Sequence, residues 1–170
     1  MSKQTIALPA FGSAIEGQGG YFAAIMRGAT VDGVQQPAEA LLVSDIALEI
    51  EGVEWGKYGQ DVTGATSRID GKANTDAMVT ANCQAALRVR EISVDGHTDY
   101  FLPSLGELNS AAANVSELFN KDGYYWTSTQ FSRLFAFVQD FEGGSSDWDC
   151  KDGKHRVRAF RRIPLDLLNT

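Results

Sequence analysis

The chain has 170 residues, 44% hydrophobic and 22% charged, which is one globular domain's worth of sequence and enough to bury ~70% of its unfolded surface. No apolar run reaches the ~20 residues a membrane-spanning helix requires. The net charge of −7 argues against nucleic acid as a partner, because that binding needs clustered positive charge to displace counterions. One stretch runs against the balance, since six of the fifteen Lys/Arg residues lie between Lys151 and Arg162. A strand whose arginines pair with the surplus carboxylates accounts for it.

The opening Met1-Ser-Lys-Gln-Thr-Ile-Ala-Leu-Pro9 lacks the apolar core of a signal peptide, so the expected location is a host cytoplasm or a particle assembled there. Tyr21–Met26 and Ala40–Val43 read as a first pair of strands, with the turn-rich 28–33 segment between them. Ile46–Ile50 extends the second strand or forms its own, and 52–68 reads as a long structured loop. A helix is expected over 74–90, capped by Asn74, with Asp76 at its positive end and Met78, Ala81, Ala85 and Val89 along one stripe. Pro103 ends the preceding extended segment, and Ser104 with Glu107 makes a capping box. A second helix then runs to Phe119, its apolar face carrying Leu105, Leu108, Ala112, Val115 and Phe119. From Gly123 the pattern is β: Tyr124–Thr129, then Leu134–Phe141, a turn over 142–147, and a last strand over 154–163. Helices followed by antiparallel strands give an α+β fold, two helices packed on short antiparallel strands.

Catalytic and metal constellations are thin. Ser104, Ser128 and Ser132 have no nucleophile-elbow context. His97 reads as part of a turn, and His155 lies among arginines that disfavour its protonated form. Gly17-Gln-Gly-Gly20 lacks the Lys-Ser/Thr of a phosphate loop. Cys83 and Cys150 with two histidines do not make a zinc set. Asp140, Glu142, Asp147, Asp149 and Asp152 could give calcium only part of the six or more oxygens it needs. No catalytic residue, cofactor or metal is therefore assigned.

Three phrases in the second half, Asp99-Tyr-Phe-Leu-Pro-Ser-Leu-Gly-Glu-Leu-Asn109, Tyr125-Trp-Thr-Ser-Thr129 and Arg156-Val-Arg-Ala-Phe-Arg-Arg-Ile163, resemble in their order the Lcl C-terminal-domain family. Asp70-Gly-Lys-Ala-Asn-Thr-Asp-Ala-Met78 is similar to a further segment of that family, and Gln18-Gly-Gly-Tyr-Phe-Ala-Ala-Ile25 resembles one that recurs in its phage members. That resemblance implies a C-type-lectin-like fold and a phage or prophage origin. It implies one lectin-like domain over 1–170, with N-terminal strands and a long loop in 1–68 and the family core in 69–163. Lectin-like folds often carry a disulfide between the first helix region and a late strand, where Cys83 and Cys150 fall. A cytoplasmic product would instead keep both reduced, and free thiols are the expectation. The "E-P-N" and "W-N-D" phrases of calcium-dependent lectins are missing, with Trp148-Asp149-Cys150 a faint echo of the second.

In lectin-like phage proteins the final strands and their turns face receptors. The corresponding surface here is Gln130, Phe131, Ser132, Arg133, Ser145, Ser146, Asp147, Trp148 and Asp149, a mixture of aromatic anchors and adaptable polar groups. Trp126 is expected in the core. The function implied is a non-enzymatic binding module, a virion-associated receptor-binding or decoration protein. Its partner would be a protein or glycan receptor on a cell surface, and the state expected by symmetry is a homo-oligomer. Two alternatives stay open: an intracellular phage protein that binds and inhibits a host factor, and an enzyme on a fold like that of formylglycine-generating enzymes.

Overall fold

The computed structural model describes residues 7–169. Among them, three helices and two main sheets, mostly antiparallel, make an α+β fold. The first sheet has the order β1-β2-β5-β11, built from Ala14–Ile15 (β1), Gly20–Met26 (β2), Glu39–Val43 (β5) and Phe160–Pro164 (β11). The expected pair over 21–26 and 40–43 is its centre, with Tyr21 opposite Val43 and Met26 opposite Glu39. A small exposed hairpin, Thr30–Val31 (β3) and Val34–Gln35 (β4), fills the connection between them.

The second sheet runs β6-β10-β7-β8-β9, with Ile50–Glu54 (β6), Tyr124–Gln130 (β7), Phe135–Asp140 (β8), Ser146–Cys150 (β9) and Lys154–Val157 (β10). Within it the β10–β7 pairing is parallel and the others antiparallel. Two strands separate β9 from β10, which would hold them ~14 Å apart in a flat sheet. Yet His155 Nε2 on β10 lies 2.6 Å from Asp149 Oδ2 on β9, so the sheet is curled.

Several expectations need correction. Ile46–Leu48 is a short 3₁₀ turn, because Asp45 accepts the Ala47 amide and turns the chain; β6 starts only at Ile50. The 74–90 segment holds two helices, Gly71–Thr80 (α1) and Gln84–Arg90 (α2), broken where Asn82 adopts a positive φ of 61°. Asp70 caps α1, accepting the Ala73 amide at 2.9 Å, while Asn74 lies inside the helix and is fully buried. The expected last strand is two. Arg158 and Ala159 carry the chain from β10 in one sheet to β11 in the other. The 142–147 turn is shorter than expected, since β9 begins at Ser146.

The third helix, Leu105–Val115 (α3), forms as the capping box predicts. Ser104 Oγ accepts the Glu107 amide and Glu107 accepts the Ser104 amide at 2.7 Å. Replacing Ser104 with Ala should cost ~1 kcal/mol, measured by urea unfolding; an unchanged midpoint would deny the cap its role.

The core of the described residues falls into three clusters. One lies between the curled sheet and α1–α2, centred on Trp55, Met78, Val89 and Trp126. A second packs α3 on the first sheet through Leu41, Phe101, Leu108, Phe119 and Phe160. Phe22, Leu42, Ile163 and Leu168 cover that sheet's other face. Both buried indoles are satisfied, Trp55 donating to Thr127 O and Trp126 to Val53 O, as buried Trp requires.

Candidate binding surface

The motif phrases converge inside the protein, on a buried polar cluster. Glu107 Oε2 accepts the amides of Gly71 and Ser104, and its other oxygen lies 2.7 Å from the Arg162 guanidinium. Burial pushes the Glu107 carboxyl up, and Arg162 with the Ser104 amide opposes that shift. Asn74 bonds both backbone groups of Ser67 and the Ser128 hydroxyl. Thr129 accepts the Leu105 amide and donates to Ser67 O. Gly71 has no alternative residue: a Cβ there would collide with the Glu107 carboxylate and the Ser104 amide. Gly106 is held as closely against Arg68 O. These phrases therefore tie the starts of α1 and α3 to β7 and β11.

The late arginines are paired as the charge balance suggests. Arg156 reaches Glu49 and Glu51, Arg158 reaches Glu49, Arg161 reaches Asp99, and Arg162 reaches Glu39 and Glu107. Ser104 and Ser128 are fully buried, and Ser132 accepts the Leu134 and Phe135 amides in the β7–β8 turn. Cys83 and Cys150 are both free. Among the described residues no helix is long and apolar enough to cross a membrane.

The surface expected to bind divides in two. Gln130 leaves it. Its side chain is buried, with Oε1 accepting the Val62 amide and the Lys151 ammonium and Nε2 donating to Asp61. It closes the end of β7 over the crossover into β10. Phe131 and Trp148, by contrast, are 48% and 50% exposed. Their rings stack with centroids 4.8 Å apart and planes 11° from parallel.

This stack follows from strand register. Trp148 sits opposite Phe137, and Lys151 N donates to Leu134 O, which makes Phe137 and Trp148 a non-hydrogen-bonded pair, the closer kind. Phe131, in the β7–β8 turn, meets Phe137 edge-on at 5.4 Å, and the Arg68 guanidinium lies 5.2 Å over Phe137. Ser146, two residues from Trp148 and so on the same face, has its hydroxyl 2.8 Å from both Asn109 Oδ1 on α3 and Gln139 Oε1. Arg133 and Ser145 are exposed in the flanking turns. Sequence reasoning missed Arg68 and Asn109, which come from distant segments that only the fold brings here.

Asp147 and Asp149 face the other way and have a structural task. The register turns the amides of Trp148 and Cys150 away from β8, toward the free edge, and each is accepted at 2.8 Å by the preceding aspartate's Oδ1. Charged side chains that occupy an edge strand's own donors guard it against pairing with another chain. The edge amides of Trp148 and Cys150 are therefore already occupied.

Beneath the crossover, Lys151 is fully buried. Its ammonium donates to Gln60 O and Gln130 Oε1 and lies 4.7 Å from the Trp55 ring centroid. Burial lowers its pKa to about 8, opposed by Cys83 and Asp61. Between pH 8 and 10.5 the unfolded chain binds a proton there that the folded one does not, so stability rises with pH in that window. From pH 8 to 9 the rise should be about 1 kcal/mol. Burial of Cys83, which raises its thiol to about 11, works in the opposite direction once the unfolded thiol titrates, from about pH 8.5, and offsets part of that rise. Urea unfolding across pH 7–10 should show the rise in the native chain and lose it in Lys151→Met.

No family model matches the chain, and no curated protein matches it. Among solved structures, a fimbrial protein from Bacteroides ovatus superposes on 88% of this chain with a TM-score of 0.57 and 14% identity. This chain spans 44% of that protein's length. At such identity the likeness concerns the fold.

Proposed function

We propose that the chain is a non-enzymatic binding module of C-type-lectin-like architecture, belonging to the Lcl C-terminal-domain family, and that it displays the Phe131–Trp148 stack to a receptor. The observation that carries this reading is the stack itself. Two large aromatic rings stack on each other while half exposed, and Phe131 is backed edge-on by Phe137. Rigid aromatic anchors with adaptable polar neighbours are what recognition surfaces use. Helices preceding a run of antiparallel strands support the lectin-like assignment. The phage origin and the virion setting, as a receptor-binding or decoration subunit acting as a homo-oligomer, rest on the motif resemblance. The fold shared with a fimbrial protein is consistent with display on an external structure.

The test is adsorption of the purified protein to cells of the bacterium whose genome or phage encodes it. Phe131→Ala and Trp148→Ala should each lower affinity by ~2 kcal/mol, about thirtyfold, while the melting temperature stays within a degree or two of the native chain. Unfolding of either variant, or native-like adsorption by both, would remove the stack from the function.

A further inference from the structure

We infer that the ligand seated on the stack is a neutral saccharide, bound without calcium, with a pyranose ring against the outer face of Trp148 and its hydroxyls on the Ser146–Asn109 pair. This rests on the reading of the stack as a binding site and names the class of molecule it takes.

Four observations carry it. First, the indole is preorganised on one side only. Phe131 covers one face of Trp148 at 4.8 Å, no other ring or cation among the described residues stacks on the indole, and the residue stays 50% exposed. Behind it the series Trp148, Phe131, Phe137 and Arg68 holds the ring in place, and a fixed ring loses little entropy on binding. An aromatic face is the negative end of the ring quadrupole, and the axial C–H bonds of a pyranose present the matching positive patch.

Second, the spacing fits one sugar ring. Ser146 and Trp148 share a face two residues apart, ~7 Å along the strand, which leaves room for the ~3 Å from the middle of a pyranose to a rim hydroxyl oxygen and a hydrogen bond of ~2.8 Å to the protein. Third, the polar groups on the Ser146 side of the indole are uncharged, the Arg68 guanidinium lying over Phe137 instead. Ser146 Oγ sits between Asn109 Oδ1 and Gln139 Oε1, and the exposed Asn109 keeps its amide hydrogens for a ligand oxygen. Hydroxyl, amide oxygen and amide nitrogen together both donate and accept, as a neutral sugar hydroxyl also does.

Fourth, the carboxylates are committed elsewhere. Asp147 accepts the Trp148 amide, and Asp149 accepts the Cys150 amide and meets His155. They therefore neither attract a cation to the indole face nor provide a calcium cradle beside it. The same commitment occupies two of the edge donors that an added peptide strand would need.

The experiment titrates the full chain, in EDTA, with soluble maltohexaose, cellohexaose, chitohexaose and mannohexaose. A hexasaccharide of heparin and choline serve as anionic and cationic comparisons. Readouts are the indole N–H resonance of Trp148 and calorimetry. The expected result is binding of at least one neutral hexasaccharide that shifts this resonance, unaffected by EDTA. Trp148→Ala should weaken it by roughly tenfold or more. Trp148→Phe should retain part of the affinity, and Asn109→Ala should weaken it without changing the melting temperature. Binding of heparin or choline alone, neutral binding that survives Trp148→Ala, or no binding by any neutral hexasaccharide overturns the inference. In the last case, adsorption to cells that still depends on Trp148 leaves the receptor-binding reading intact with a protein as its target. Adsorption that is independent of Trp148 would remove both.

Discussion

Glu107→Gln should destabilise the protein by about 3–5 kcal/mol, the cost of leaving a buried charge without its partner. Glu107 is fully buried and receives three groups of donors, the Gly71 and Ser104 amides on one oxygen and Arg162 on the other. A glutamine keeps the shape and supplies one acceptor oxygen. Its amide nitrogen must then face either the two backbone amides or the guanidinium, donor against donor. Arg162 would retain Glu39, Arg27 O and Ile69 O, which lie toward the surface. Because the cluster joins α1, α3, β7 and β11, the loss should appear as a lower urea midpoint for the whole domain with an unchanged slope. A change below ~1 kcal/mol would mean that the cluster adds specificity but little stability.

Arg158→Met should have a comparable effect, about 3–5 kcal/mol, despite conserving volume. Arg158 is where the chain passes from one sheet to the other. Its guanidinium donates twice to Ser44 O, at 3.0 and 2.7 Å, and once to Leu118 O at 2.9 Å, and it lies 4.9 Å over the Phe119 ring. It also reaches Glu49, whose side chain is itself buried and bonded to Tyr125 and Asn120. Methionine would replace the stem and leave two buried carbonyls unpaired, and a buried unpaired acceptor costs ~1–3 kcal/mol. Arg156 remains 3.4 Å from Glu49, so the carboxylate would not be wholly abandoned. Calorimetric melting of Arg158→Met measures the sum. An unshifted melting temperature would show that the crossover does not depend on these bonds.

Local chemistry is legible in the chain itself. The capping box of Ser104 and Glu107 determines where α3 starts, because both halves of the signal lie within four residues. The alternation of Leu134–Phe141 and the aromatic and β-branched stretch Tyr124–Thr129 locate β8 and β7 for the same reason. The surplus of carboxylates foretells the pairing of the late arginines. The exposure of Phe131 and Trp148, and the burial of Trp126, are also within reach of pattern reasoning.

Tertiary structure decided what local signals could not. The helix expected over 74–90 is broken at Asn82, a conformation its apolar stripe does not encode. Asn74 reads as a cap by type, yet it lies inside α1 with its side chain bonded to Ser67 just before the helix and to Ser128, distant in sequence. The β pattern at the end of the chain splits between two sheets, since the alternation of Val157, Ala159 and Ile163 is blind to which neighbour each half meets. Gln130 resembles its exposed neighbours in sequence and is buried because the crossover brings Lys151 to it and the segment between β6 and α1 brings Asp61. The candidate site depends on the same kind of placement. Trp148 acquires a supporting ring, an arginine from 68 and an amide from 109 through strand register and helix packing, contacts between segments that no short stretch of sequence contains.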